Sequence, residues 1–195
     1  SPVTCVAMSP SGYYCASGDA TGQMFVFATD NSELVVKTER KALSGPILGI
    51  AWSGDNQRIV AVGDGRERFA SVFIMSSGEW PCLVCLTCVC GAGASLGELT
   101  GHERRILSVD FKPTRPFRIV TGGEDSLCNL YQGPPFKFLA SDDTESRFVN
   151  AVRYSPDGAR YAAGGLAVKI HDGRTGDLVG ALPPHHKGSV FAVAW

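Results

Sequence analysis

The chain has 195 residues, with 18 Lys and Arg against 19 Asp and Glu and a formal net charge of −1. That balance argues against nucleic acid as a partner, because a nucleic-acid footprint needs a basic patch or stripe. No stretch is apolar and long enough to span a bilayer as a helix, no signal peptide is expected, and seven cysteines do not form a secreted disulfide framework, so a reducing, cytoplasmic compartment is expected and no membrane contact.

The first predicted strand covers residues 3–8 (VTCVAM). Its pattern returns at 47–52 (ILGIAW), 106–111 (ILSVDF), 149–154 (VNAVRY) and 190–195 (VFAVAW). In each segment the first, fourth and sixth positions are apolar, and the sixth is large. The starts lie 44, 59, 43 and 41 residues apart, a period that marks a repeat architecture. Residues 79–93 (EWPCLVCLTCVCGAG) differ in composition from everything around them, and taking them out returns the long interval to 44. They read as an atypical Cys-rich insertion in a loop, where extra chain costs little.

Each repeat then follows one grammar. A turn comes first: Ser9-Pro10-Ser11-Gly12, Ser53-Gly54-Asp55-Asn56, Lys112-Pro113-Thr114-Arg115-Pro116 or Ser155-Pro156-Asp157-Gly158. Pro presets φ in such turns and Gly supplies a positive one. Second runs follow at 13–17, 58–62, 118–121 and 160–163, third runs at 24–27, 70–75, 127–131 and 168–171, and fourth runs at 34–38, 97–99, 136–139 and 178–182. Four short β-rich runs per repeat at this period predict an all-β protein, a β-propeller of four-stranded blades. The expected blades are 3–45, 46–100, 101–147 and 148–187, with 188–195 opening the next, so the ring is incomplete and the chain reads as part of a longer protein. The fourth repeat is about two residues short at 163–167 and lacks a turn Asp, which predicts a distorted blade.

Gly101-His102, just before the third repeat, resembles the Gly-His of WD repeats. The Trp-Asp pair of those repeats is absent; Phe27, Tyr131 and His171 stand near the Trp position. A WD-like hydrogen-bond set can be drawn from His102, Thr121 and Asp125, with Tyr131 in place of the Trp. Such a buried network locks a blade only when every member is satisfied. His186 fits the equivalent blade-linking position before the fifth repeat.

A closer resemblance rests on four runs in order: Gly63-Asp64-Gly65-Arg66-Glu67-Arg68-Phe69, Gly97-Glu98-Leu99-Thr100-Gly101-His102, Gly133-Pro134-Pro135-Phe136-Lys137-Phe138 and Arg147-Phe148-Val149-Asn150-Ala151-Val152-Arg153. Together they resemble the amino-terminal propeller of the actin-interacting protein 1 family. The likeness covers nearly the whole chain outside the insertion, and the Gly-Pro-Pro-Phe-Lys-Phe run is its most specific part. It implies a non-enzymatic scaffold that binds actin filaments and cofilin, promotes cofilin-dependent severing and disassembly, and associates with the cytoskeleton. It also implies partner-binding roles for Glu67, Glu124, Lys137, Phe138 and Phe148, with Glu124 standing where an Asp is usual. Two plainer roles compete for these side chains: aromatic rings commonly fill gaps between blades, and turn charges are commonly just solvated.

Two other function classes remain open at this stage. One is a generic WD adaptor for another complex. The other is a metal or redox protein built on Cys82, Cys85, Cys88 and Cys90. The cysteine spacing disfavours metal, because zinc usually takes two separated knuckles and here all four thiols fall within nine residues. No Ser/His/Asp, paired-carboxylate or phosphate-loop pattern emerges, so neither catalytic residues nor a cofactor are expected.

Overall fold

The computed structural model describes residues 1–30, 32–66, 68–75, 99–143, 147–183 and 186–195. These residues form β-strands and no helix. The first sheet is β1 (Val3–Met8), β2 (Tyr14–Asp19), β3 (Gln23–Ala28) and β4 (Val36–Lys41). The second is β5 (Ile47–Trp52), β6 (Arg58–Gly63) and β7 (Ala70–Ile74). The third is β8 (Ile106–Phe111), β9 (Arg118–Gly123), β10 (Cys128–Gln132) and β11 (Lys137–Asp142). The fourth is β12 (Ala151–Tyr154), β13 (Arg160–Gly164), β14 (Val168–Asp172) and β15 (Leu178–Ala181). Every neighbouring pair runs antiparallel in chain order, and the first strands of successive sheets lie against one another. This is the architecture of an incomplete β-propeller of WD-type blades. The insertion at 79–93, its four cysteines and most of the fourth run near 97–99 lie outside the described residues.

The turn between first and second strands shows why the Ser-Pro-x-Gly spelling recurs. In the first blade Ser9 N–H donates to the Tyr14 carbonyl (2.8 Å), while the Ser9 hydroxyl accepts from Tyr14 N–H (3.1 Å). Ser53 repeats this with Arg58, and Ser155 with Arg160. The fourth turn residue is in the left-handed region each time: Gly12 at φ 76°, Asn56 at φ 59° and Gly158 at φ 69°. Asn is the non-glycine residue that best tolerates that conformation, which explains Asn56 in the second repeat.

Equivalent positions recur on the outer side of the three four-stranded sheets. The third and fourth strands shift register between Val26 and Phe27, between Leu130 and Tyr131, and between Ile170 and His171. Phe27, Tyr131 and His171 therefore occupy one structural position in three blades. The seams between blades also repeat. Gly18 packs on Ile47, Gly122 on Val149 and Gly164 on Val190, each pairing a second-strand glycine with the first residue of the next repeat. In the second blade Val62 holds this place, fully buried, and leans on Gly49 instead. The seams are apolar: Met24, Val26, Ile47, Trp52 and Ile59 fill the first; Val62, Ile106, Phe111, Tyr131 and Phe136 the second; Val120, Leu130, Val152 and Tyr161 the third.

Two sequence expectations change. Residues 190–195 are not a strand, because a strand needs a hydrogen-bonded neighbour and the described residues offer none. They are nevertheless seated as a first strand would be. Trp195 Nε1–H donates to the Arg153 carbonyl (3.0 Å), as Trp52 Nε1–H donates to that of Ala7 (3.1 Å). Asn150 donates to the Val190 carbonyl (3.0 Å), as the Thr4 hydroxyl does to that of Ile47. The short fourth repeat is also undistorted: β13 and β14 pair over five successive positions without a shift. Its tight turn closes through Gly165 N–H to the Ala167 carbonyl (3.0 Å), which removes the need for a turn Asp.

A Cβ added at Gly122 would stand 2.6 Å from Val149 Cγ1 and 2.9 Å from the Val149 carbonyl oxygen. Gly122→Ala is therefore expected to destabilise the chain by about 1–3 kcal/mol, the usual cost of overpacking. Thermal denaturation checks this, and an unchanged Tm would mean that the seam between the third and fourth blades yields freely.

Candidate functional site

Four residues predicted as a network converge in the third blade. His102, just before β8, is buried; Thr121 lies on β9 and Asp125 in the β9–β10 turn. His102 Nδ1 is 2.8 Å from Asp125 Oδ2, and Nε2 is 2.7 Å from Thr121 Oγ1. Asp125 also accepts from the backbone N–H of Glu103 (3.0 Å) and of Leu127 (3.2 Å). The carboxylate can only accept, so Nδ1 carries the proton and Nε2 accepts from the Thr121 hydroxyl. Burial favours the neutral form and pulls the His102 pKa below its ordinary value, although Asp125 opposes the shift.

Tyr131 is fully buried beside this network, and its hydroxyl donates to the Thr100 carbonyl (2.8 Å). Burial pushes its phenol up to about 12. Asn129, missed in the sequence, joins the set: its amide reaches the Tyr131 hydroxyl (3.4 Å), and its carbonyl accepts from Ser141 on β11. The signal for Asn129 was available as a polar residue between apolar neighbours in a third strand. His186 does not repeat the His102 arrangement, because it is exposed. In the fourth blade His171 is buried instead, stacked on Tyr161 with centroids 4.8 Å apart and planes 6° apart. Its Nε2 lies 3.3 Å from Asp142 on β11, which links two blades.

The residues expected to bind partners fall into two groups around this network. Val149 N–H donates to the Gly123 carbonyl (3.0 Å), so Phe148 and Glu124 flank one hydrogen bond at the β9–β10 turn. Glu124 is held by Arg105 at 2.6 Å, another partner that sequence reading missed. Lys137 and Phe138 begin β11 and pair with Gln132 and Tyr131, at the end of the ladder away from that turn. The Phe138 ring meets Tyr131 edge to face at 6.1 Å and lies against Gly101. Glu67 lies outside the described residues.

Exposure separates seats from surface. Phe138 is 48% exposed and Phe148 43%, whereas Phe136 is 1% exposed and packs on Phe111 in a seam. Simple alternation would have put Phe136 and Phe138 on one face. They differ because Phe136 precedes β11 in the Gly133-Pro134-Pro135 turn, and strand geometry starts only at Lys137. Among the described residues no group of three or more His, Cys, Asp or Glu could hold a metal ion, and no helix is long and apolar enough to cross a membrane. Lys137 and Phe138 lie on β11, Glu124 in the β9–β10 turn and Phe148 in the segment before β12.

Because burial lowers the His102 pKa in the fold, the unfolded chain takes up its proton first on acidification. The linkage sign follows: this residue costs stability as pH falls through its ordinary value near 6.5, and nothing well above it. His102→Gln is expected to be less stable than wild type at pH 8 and to lose less on going to pH 5. Parallel melting curves across that range check it; identical pH slopes would show that His102 titrates normally in the fold.

The pattern of the WD domain, G-beta repeat family matches residues 1–27 and 93–132. The chain is 48% identical over 190 residues to Actin-interacting protein 1 of Drosophila melanogaster, covering 96% of this chain and 29% of that protein. It is 44% identical over 199 residues to the 66 kDa stress protein of Physarum polycephalum, covering 100% of this chain and 31% of the relative. It is 42% identical over 198 residues to WD repeat-containing protein 1 of Xenopus tropicalis, covering 100% and 30% respectively. The chain thus spans under a third of the length of the curated relatives it matches. Identity at this level over nearly every residue of the chain, joined to WD-type blades in the fold, places it in the actin-interacting protein 1 family of WD-repeat proteins.

Proposed function

We propose that this chain contributes a non-enzymatic actin-binding surface that promotes cofilin-dependent severing and disassembly of filaments, in the cytoplasm and at the cytoskeleton. The observation that carries the reading is the pair of half-exposed rings, Phe138 and Phe148, each fixed beside a fully buried residue and each accompanied by a charge. The similarity to Actin-interacting protein 1 supplies the partner class. Glu67, Glu124, Lys137, Phe138 and Phe148 form the contact set in this proposal. His102, Thr121, Asp125 and Tyr131 hold the blade that carries Glu124, Lys137 and Phe138, and Phe148 opens the next blade beside it.

The mechanism is differential binding. A scaffold shifts a filament toward a distorted or severed state only if it binds that state better than the intact one. Aromatic anchors supply the affinity, while Glu124 and Lys137 set orientation and encounter rate. Arg105 already neutralises Glu124, so a partner cation reaches that carboxylate by competing with Arg105.

Phe138→Ala combined with Phe148→Ala is expected to weaken binding to cofilin-decorated filaments about 10-fold or more, the loss typical of two interface anchors, and to slow severing in proportion. Cosedimentation and filament imaging measure both, with an unchanged melting curve showing that the fold survives. Wild-type binding by the double variant would overturn the site. A wild-type protein that ignores actin and cofilin would overturn the function and favour an adaptor for another complex.

A further inference from the structure

The peptide group between Gly123 and Glu124 is bonded on both sides. Its N–H donates to the Arg105 carbonyl (3.1 Å), and its carbonyl accepts from Val149 N–H (3.0 Å). One turn therefore receives the segment that leads into β8 and the segment that leads into β12. The next residue, Asp125, fixes the first of these again by accepting from Glu103 N–H (3.0 Å). Arg105, Glu124 and Phe148 come from three separate parts of the chain and meet at this turn.

Glu124 and Arg105 are joined a second time through their side chains, with Arg105 Nη2 2.6 Å from Glu124 Oε1. The two members of this pair face solvent unequally. The Arg105 side chain is 46% exposed and that of Glu124 only 16%. A partner cation must therefore displace Arg105 to reach Glu124, whereas a partner carboxylate meets no competitor at Arg105. A guanidinium has five N–H donors, and the bond to Glu124 uses one nitrogen, so part of the fork remains for a second carboxylate. The surrounding charges point the same way. Arg104 and Arg147 are exposed, with no carboxylate within 4.0 Å among the described residues. Glu103 is exposed between them in sequence and His102, and half-buried Asp64 adds a smaller attraction on Arg105 than Glu124 does. With Glu124 neutralised by its partner, cations outnumber acids around Phe148.

We infer that the charge presented to the partner at this turn is the Arg105 guanidinium, that it takes a carboxylate on an acidic protein surface, and that Glu124 is the positioning residue that aims it. The inference rests on the filament-binding reading for the identity of the partner, and it refines that reading by making Glu124 act through Arg105. Arginine beside an exposed aromatic ring is a common composition for an interface anchor, and a pre-aimed guanidinium loses little freedom on binding. The ion pair is too exposed to contribute much to stability, so Arg105 can be changed without losing the blade.

Cosedimentation of the full-length protein with cofilin-decorated actin filaments gives the Kd of each variant. Arg105→Ala is expected to weaken binding about 10-fold, the scale of one interface anchor, and to flatten the rise of Kd with salt. Arg105→Lys, which keeps the charge without the fork, is expected to fall between. Glu124→Gln is expected to bind close to wild type, because its amide oxygen still accepts from Arg105, whereas Glu124→Ala is expected to bind more weakly. Once Arg105 is Ala, Glu124→Ala is expected to cost nothing further, the coupling a double-mutant cycle detects. Arg105→Lys and Glu124→Gln keep the test decisive if Arg105→Ala lowers the melting temperature. Binding by Arg105→Ala as tight as wild type, or tighter, would show that Arg105 only shields Glu124, and would overturn this inference while leaving the filament reading intact. An equal loss in Glu124→Gln and Glu124→Ala would overturn the positioning role, since the carboxylate would then be meeting the partner itself. A wild-type protein that does not bind filaments would overturn both readings.

Discussion

Everything in this structure rests on the seam between consecutive first strands. A blade of three or four short strands cannot bury its faces alone, so each repeat is stable only against its neighbours. The seam is met by the same few positions each time. The first residue of one repeat enters the space above a second-strand glycine of the previous repeat, as Ile47 does at Gly18 and Val149 at Gly122. A second-position side chain then caps the incoming carbonyl, as Asn150 does for Val190. Where Val62 replaces the glycine, space is found at Gly49 within the same blade. The fit is conserved as a volume rather than as a residue type, as close packing requires.

The seam also explains why polar chemistry is concentrated in the third blade. His102 lies in the segment that delivers the chain to β8, and Asp125 and Thr121 belong to the sheet that receives it. Their hydrogen bonds tie incoming chain to blade at the point where an apolar seam alone would leave backbone groups unmet. Tyr131 performs a tryptophan's packing with different hydrogen bonding: its hydroxyl takes the Thr100 carbonyl and leaves Thr121 to His102. The fourth blade reaches a comparable end with a stacked His171 and Asp142 from the neighbouring blade, so one fold position supports two unlike polar arrangements.

The fold was largely legible in the sequence because its information is periodic. Strand order, turn chemistry and the register position shared by Phe27, Tyr131 and His171 all follow from spacing. The misreadings occurred where spacing carries no information. The 163–167 deletion predicted distortion, yet a three-residue turn absorbs it, closed by the hydrogen bond from Gly165 N–H to the Ala167 carbonyl. Residues 190–195 carry a strand pattern, yet pairing is a property of neighbours rather than of a segment. For the candidate site, the sequence names candidate residues but not their environments. Arg105 lies nineteen positions before Glu124, and nothing local announces their contact. Phe136 and Phe138 look alike in sequence, but one is in a seam and the other in solvent, because a Gly-Pro-Pro turn resets the alternation between them.

That last contrast bears on how a scaffold of this kind can recognise a partner. An exposed ring on a mobile loop loses conformational freedom when it is bound, and that loss is subtracted from affinity. Here each exposed ring adjoins a fully buried residue: Phe148 precedes Val149, and Phe138 stands across the ladder from Tyr131. The seams that hold the blades together therefore also fix the rings in space before any partner arrives. In the proposed function, binding and stability draw on the same contacts, so a substitution in a seam is expected to move the proposed surface as well as the melting temperature. A substitution at half-exposed Phe138 or Phe148 is expected to move the proposed surface much more than the melting temperature. The two classes of variant distinguish a surface selected for recognition from one that merely packs.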